Sequence, residues 1–279
     1  MTMRTNFVTA MSIVLSCMAF SSCAQTTTFS IGGKTTETIT IDKNDKIVTR
    51  QFNVRNFDGI STSSVIDIEY VQGPQKVTVT APEKIMSLLD VSVRNSTLTI
   101  GFTKKNLAIS SNGHIPLKAT VSSPVLKQIT SSGSADIFLK GRIQSGTLAV
   151  AVSGSGDIKA EDIHAANATF TSSGSGDIDI YSLTGDSMNL DTKGSGDLKI
   201  KNVSAKNITA NTYGSGDISM KIHCDQTVLK SYGSGDITVS GVCDETVLTS
   251  YGSGDINARN LKSRNLSAKQ NGSGDVETR

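Results

Sequence analysis

One tetrapeptide governs what this chain can become. Gly133-Ser134-Ala135-Asp136 is followed by Gly-Ser-Gly-Asp beginning at Gly154, Gly174, Gly194, Gly214, Gly233, Gly252 and Gly272, at intervals of 21, 20, 20, 20, 19, 19 and 20 residues. A period near 20 is shorter than that of paired-helix repeats or propeller blades and fits one coil of a β-solenoid. The residues between the corners fall into columns. Directly after the Asp stand Ile137, Ile158, Ile178, Leu198, Ile218, Ile237, Ile256 and Val276; two positions later come Leu139, Ala160, Ile180, Ile200, Met220, Val239 and Ala258. That alternation is a strand with one buried face. Eleven residues before the next Gly come Ile143, Ile163, Leu183, Val203, Ile222 and Leu261, with Gly241 interrupting the column and pointing to a local irregularity there. Four before it, Val150, Phe170, Leu190, Ala210, Leu229, Leu248 and Ala268 mark another inward position. Nine before it only small residues occur, from Ser145, Ala165, Gly185 and Ala205 to Cys224, Cys243 and Ser263, as a tight corner demands.

A single coil cannot fold alone, because the few side chains it turns inward return less than ordering its backbone costs. Stacking supplies the rest. Each coil satisfies its N–H and C=O groups on neighbours about 4.8 Å above and below, so eight coils make a rod roughly 35 to 40 Å long. The glycines belong to the corner, where a side chain would collide with its stacked copy. Composition agrees, since 25 Gly, 4 Pro and no Trp suit short strands punctuated by turns. The expected fold is all-β: a parallel β-helix of about eight regular coils over residues 126–279, preceded by an irregular β-rich part over residues 46–125. In that part Val65 to Val71, Lys76 to Thr80, Val91 to Val93 and Thr97 to Phe102 read as strands, and Gly73-Pro74 and Asn95-Ser96 as turns. Glu83 to Leu89, after Pro82, reads as a short helix. Irregular coils or a small β-cap over one end of the rod are expected; at the other end Glu277 and Arg279 are placed to blunt a sheet edge.

The N-terminus carries an address. Arg4 supplies a positive start and Phe7 to Phe20 a mostly apolar stretch too short to span a bilayer. Ser21-Ser22-Cys23 follows, with small residues before a cysteine that resemble a bacterial lipobox, although Phe20 stands where an aliphatic residue is commoner. Residues 1–22 are therefore expected to be a lipoprotein signal peptide and Cys23 the lipidated first residue of the mature chain. The alternatives are cleavage after Ala24, or a spent signal cysteine like Cys17. Residues 23–45, rich in Thr and Gly at their start, read as a tether. Cell envelope, as an outer-membrane lipoprotein touching the membrane through its anchor only, is the expected location.

Chemistry is sparser. A formal charge of +2 offers no electrostatic footprint for nucleic acid. The Asp column (Asp136, Asp157, Asp177, Asp197, Asp217, Asp236, Asp255 and Asp275) stacks carboxylates that repel by about 1 kcal/mol in water, so something must compensate. The expectation is that each accepts hydrogen bonds from the turn amides of its own corner; bound Ca²⁺, on the pattern of nonapeptide calcium repeats, needs a period of nine that is absent here. Tyr213, Tyr232 and Tyr251 each precede a Gly-Ser-Gly-Asp and should form an outward row, either a surface for a sugar chain or a stack that stiffens the sheet. Cys224 and Cys243 share a column 19 residues apart, which puts their Cα atoms within disulfide range in an exported protein where oxidation is permitted. A bridge between adjacent coils is expected, with a stacked pair of thiols as the alternative. His114, His164 and His223 read as sharing no column, and no metal-ligand spacing, nucleophile elbow or phosphate loop is present.

With Asn56-Phe57-Asp58-Gly59-Ile60 opening the domain, the strand pattern after it and the repeated Gly-Ser-Gly-Asp-Ile turns, the chain resembles the auto-transporter adhesin, head GIN domain family of Bacteroidota envelopes over roughly residues 50 to 279. The resemblance implies a right-handed β-helix related in shape to pectin lyases and a role in adhesion, and it brings no catalytic residue to carry over. The expected function is a noncatalytic envelope protein, without cofactor or metal, presenting a Ser/Thr/Asn-rich face to a glycan or a cell-surface protein. A polysaccharide-acting enzyme of β-helix type and a structural envelope scaffold are the alternatives; coils of 19 to 21 residues leave no corner insertions from which a catalytic cleft could be built.

Overall fold

Equivalent residues do lie over one another. The structure, a computed structural model, describes residues 27–31, 37–104, 107–111 and 115–279. In chain order its first elements are β1 (Thr27–Ile31), β2 (Glu37–Ile41), β3 (Ile47–Gln51), β4 (Gly59–Thr62), β5 (Asp67–Gln72), β6 (Lys76–Pro82), α1 (Glu83–Met86), β7 (Leu89–Arg94), β8 (Thr97–Phe102), β9 (Leu107–Ser111), β10 (Lys118–Ser123) and β11 (Gln128–Ser131). Long strands that run through most of a coil follow: β12 (Ile137–Val152), β13 (Ile158–Ser172), β14 (Ile178–Thr192), β15 (Leu198–Thr212), β16 (Ile218–Ser231), β17 (Ile237–Ser250) and β18 (Ile256–Gln270), closed by the short β19 (Val276–Glu277). From β12 to β19 each strand pairs parallel with the next, giving a parallel β-solenoid of about eight turns.

The register follows the sequence columns. Ile137, Ile158, Ile178, Leu198, Ile218, Ile237, Ile256 and Val276 are successive partners, and so are Val150, Phe170, Leu190, Ala210, Leu229, Leu248 and Ala268. Most of these side chains are fully buried and belong to one continuous core. Where coil length changes, the register slips at one corner only: between Leu139 and Arg142, Ile200 and Val203, and Thr238 and Ser240. These are the steps from 21 to 20, 20 to 19 and 19 to 20 residues, so every length change is absorbed there and the hydrophobic columns stay aligned. Gly241 sits beside that corner with φ 112°, and a Cβ on it would lie 2.0 Å from the Ile222 carbonyl oxygen. This accounts for the break in its column.

The N-terminal part continues the rod rather than capping it. On one wall the order runs β7-β8-β4-β11-β12, and on another β5 lies against the start of β12 with β10, β6 and β3 beyond it. The chain therefore interleaves, because β5 touches β12 directly whereas β4, which precedes it, is separated from β12 by β11. Both parts share one core through Ile60, Ile68, Tyr70, Val79, Leu98 and Ile129.

Two expectations change here. Part of the stretch read as a tether is strand: β1 and β2 flank β9 in a separate three-stranded sheet. The physical reason is visible in β2, where Ile39 and Ile41 alternate with Thr38 and Thr40 and Ile41 is buried. The helix after Pro82 ends at Met86, not Leu89, because Leu89 is drawn into the antiparallel hairpin of β7 and β8 as the partner of Phe102. That hairpin turns at Asn95 and Ser96, both with positive φ, the conformation a two-residue turn of matching twist requires. Residues 1–22 and Cys23 lie outside the described residues.

Candidate functional site

Each Gly-Ser-Gly-Asp corner hangs on the one before it. The Asp197 carboxylate accepts the backbone N–H of Asp217 (2.9 Å), the Asp177 carboxylate that of Asp197 (2.8 Å), and the pattern runs without a gap to Asp275 on Asp255 (2.8 Å). The carboxylates thus serve the next coil and not, as expected, their own corner. Extended backbone points each Asp N–H along the rod axis, where only a stacked neighbour can reach it. The ladder also has a member that the repeat conceals: Asp67, outside any Gly-Ser-Gly-Asp, accepts the Asp136 N–H at 3.0 Å. Repulsion along the row is relieved by these charge-assisted bonds and by Lys159 and Lys199, 3.5 and 3.0 Å from Asp157 and Asp197. Burial pushes the Asp197 carboxyl up, but the Asp217 N–H and the Lys199 ammonium outweigh it and hold it below its ordinary range.

A second ladder braces the corner from inside. Buried hydroxyls two residues before the Gly donate to corner carbonyls: Ser172 to Gly176 (2.9 Å), Thr192 to Gly216 (2.9 Å), Thr212 to Gly235 (3.0 Å) and Ser250 to Gly254 (3.2 Å). The sequence reading assigned these hydroxyls no role. The recurrence of Ser or Thr among Ile and Leu columns was the available signal.

Outside the corner runs the tyrosine row. Tyr213, Tyr232 and Tyr251 are each between 41 and 48% exposed, and their rings stack at 5.0 and 4.9 Å with 3° between planes. Strand spacing, not ring preference, sets this face-to-face geometry. Lys193 and Asn271 hold the equivalent position on the rungs to either side, as the hydrogen bonds of Lys193, Tyr213 and Asn271 N–H to Ser172, Thr192 and Ser250 C=O establish. Beside the row, Asn211, Lys230, Thr249 and Lys269 form the next column, half-buried at Asn211 and Lys230, buried at Thr249 and exposed at Lys269. The Tyr213 phenol is pushed up by burial and by Asp191, with Lys230 opposing.

Cys224 and Cys243 are register partners at the small-residue corner, both buried, with Sγ atoms 2.7 Å apart as free thiols. The Cys224 thiol donates to Cys243, which raises its own pKa and lowers that of Cys243. Among the described residues no group of three or more His, Cys, Asp or Glu could hold a metal ion. His164 and His223, read as unrelated, do share a column, with Thr184 and Ser204 between them; counting back from the following Gly, ten residues in both cases, would have shown it. Two rungs keep them from acting together, and His164 is held instead 3.1 Å from Asp162. His114 lies outside the described residues. A shallow cleft of about 450 Å³ on another wall is lined by Lys159, Asp179, Tyr181, Lys199 and Lys201, with the Lys201 ammonium 4.6 Å from the Tyr181 ring centre.

The model of the family "Putative auto-transporter adhesin, head GIN domain" matches residues 56–221 and 188–279. This chain belongs to that family. Head GIN family membership makes it an adhesin-type protein of the cell envelope or surface. Solved structures resemble it over 86% of its length: a putative adhesin from Bacteroides fragilis NCTC 9343 (22% identity, TM-score 0.70, all of that chain covered) and one from Parabacteroides distasonis ATCC 8503 (20%, 0.75, all of that chain). A third, from the same Parabacteroides strain, is called a putative lipid binding protein (20%, 0.72, all of that chain). At such identities the likeness is one of fold. No curated protein matches. The head GIN domain's opening Asn56-Phe57-Asp58-Gly59-Ile60 is structural here: Phe57 and Ile60 are buried, Asp58 pairs with Lys127 at 2.7 Å, and the Asp58 and Gly59 amides donate to the Ser96 carbonyl.

Proposed function

We propose that this chain is a noncatalytic, lipid-anchored adhesin of the outer membrane whose flat wall bearing Tyr213, Tyr232 and Tyr251 contacts a glycan. The observation that carries the reading is the tyrosine row itself. Three large rings stay 41 to 48% exposed in a protein whose other repeated apolar positions are nearly all buried, and exposed aromatic surface of this kind marks interaction sites. On the rungs leading to it the wall is polar and regular: Thr147, Asn167, Ser187 and Asn207 form one outward column, which continues beside the tyrosines as Gln226 and Glu245, so polar groups recur at strand spacing where a polymer could meet them. Lipidation of Cys23 would hold the rod at the membrane.

A glycan array of the purified mature protein, with product analysis of every bound sugar, tests this. Binding without cleavage, lost in the Tyr213→Ser, Tyr232→Ser, Tyr251→Ser triple variant while the melting curve is kept, is the expected result. Cleavage would favour the enzyme reading, and binding indifferent to the three tyrosines would remove the site. Fatty-acid labelling abolished by Cys23→Ser, together with protease shaving of intact cells, tests the anchor and the outward face.

A further inference from the structure

The tyrosine row cannot work as an aromatic platform usually does, because four of its six ring faces are already used in stacking. Tyr232 has a ring parallel to it on both sides at 5.0 and 4.9 Å, and the outer faces of Tyr213 and Tyr251 look toward Lys193 and Asn271 on the adjoining rungs. What the solvent meets is a ribbon of ring edges and hydroxyls. Ring edges are the positive rim of the aromatic quadrupole, and a phenol donates a hydrogen bond. The cations around the ribbon add to this: Lys193 lies in line with it, while Lys230 and Lys269 lie in the column beside it. None of the three has a carboxylate within 4.0 Å among the described residues. Lys230 is close enough to act on the charge of the Tyr213 phenol. Of the acids on these rungs, Asp191 is engaged by the Asn211 amide at 2.9 Å, and Asp217, Asp236 and Asp255, four residues after the tyrosines, each accept the backbone amide of the next corner.

From this we infer that the ribbon binds an acidic polysaccharide, a chain of uronate or sulfated sugars lying along the rod axis. The inference rests on the glycan reading above and narrows it. Ring edges, phenol donors and unpaired ammonium groups all favour negative charge, and only the two end faces of the stack are left for the apolar face of a neutral sugar. The repeat of the ribbon, close to 5 Å per rung, matches the advance per residue of an extended pyranose chain, so each rung addresses one sugar.

Calorimetry of the mature protein with polygalacturonate, and with neutral galactan as the comparison, tests this. Polygalacturonate should bind more tightly than galactan and weaken as salt is raised. The Lys193→Gln, Lys230→Gln, Lys269→Gln triple variant should lose about tenfold in affinity with its melting curve unchanged. Equal, salt-insensitive binding of both polymers, or binding untouched by the lysine changes, would overturn the acidic class while leaving a tyrosine-dependent glycan site standing. The class also fails if polygalacturonate does not bind while another sugar on the array binds through the tyrosines. Silence across the whole array would defeat the glycan reading itself.

Discussion

Replacing Gly216 by alanine tests the corner most directly. A Cβ added there would lie 2.1 Å from the Gly196 carbonyl oxygen and 2.8 Å from its carbon, both backbone atoms that cannot rotate away. Restoring an ordinary contact opens the two corners by more than 1 Å. Such a movement takes the Ser215 and Gly216 N–H groups, now 2.9 and 3.1 Å from the Gly194 oxygen, out of hydrogen-bond range. Gly216 is buried, so its amide is left without water, whereas that of the exposed Ser215 is re-solvated. The two losses together cost about 2 to 4 kcal/mol, against at most ~1 kcal/mol gained by stiffening the unfolded chain. Alanine stands at this position in one corner only, at Ala135. The rung beneath that corner, residues 64–67, is not another Gly-Ser-Gly-Asp. Urea denaturation gives the total, and amide exchange shows where it falls, since solenoid stability is a sum of neighbour contacts and the opening should centre on residues 194–217. Gly146→Ala, where an added Cβ meets nothing within 4 Å, is the control. A Gly216→Ala protein within about 0.5 kcal/mol of the parent would refute the steric account of the glycines.

Two further outcomes follow from the ladders and the thiols. Asp197 titrates below its unfolded value of roughly 3.9, so its contribution is fully present above about pH 5 and is lost as pH falls through the folded pKa; the stability difference between the parent and Asp197→Asn should therefore shrink between pH 7 and pH 3, and a constant difference by urea denaturation would contradict the ladder's charge assistance. Exposure to oxidised glutathione should join Cys224 to Cys243, the two thiol hydrogens and electrons passing to the glutathione disulfide. The resulting 19-residue loop should raise stability by about 3 kcal/mol; unreduced peptide mapping that finds both thiols free after oxidation would remove the bridge.

The sequence was legible wherever a residue type recurs. Inward columns such as Ile137 to Val276 are dictated by burial, the Gly pair by backbone approach, and both could be read without coordinates. Partners were less legible than positions. The Asp column was evident, yet the amide each carboxylate accepts depends on how the extended chain aims its N–H groups along the axis, which spacing alone does not state. Asp67 and the interleaving of β4, β5 and β11 escaped because they obey no period; they are fixed by pairings between residues far apart in sequence, such as Ile137 with Ile68. The site is legible only as exposed exceptions to the pattern, the tyrosines among them.

Those exceptions are not scattered. The two 19-residue coils, between Gly214 and Gly252, contain Cys224 and Cys243, Tyr232 and Tyr251, and Gly241 with its positive φ. They also change the core: in the column where Met188 and Ile208 stand, the register continues to the smaller, more polar Thr227 and Thr246. The omitted residue falls between Met220 and Ile222, and two positions on, back in register, the thiols of Cys224 and Cys243 occupy the small-residue column. Directly before the next corner glycine the same coils set two of the three tyrosines in line. A parallel stack constrains its inward positions and leaves its outward ones free, so a surface can be specialised at low cost to the fold. Here specialisation coincides with a change of coil length, and the ribbon, the thiol pair and the slip in register are therefore most simply read as one local modification of an otherwise uniform rod.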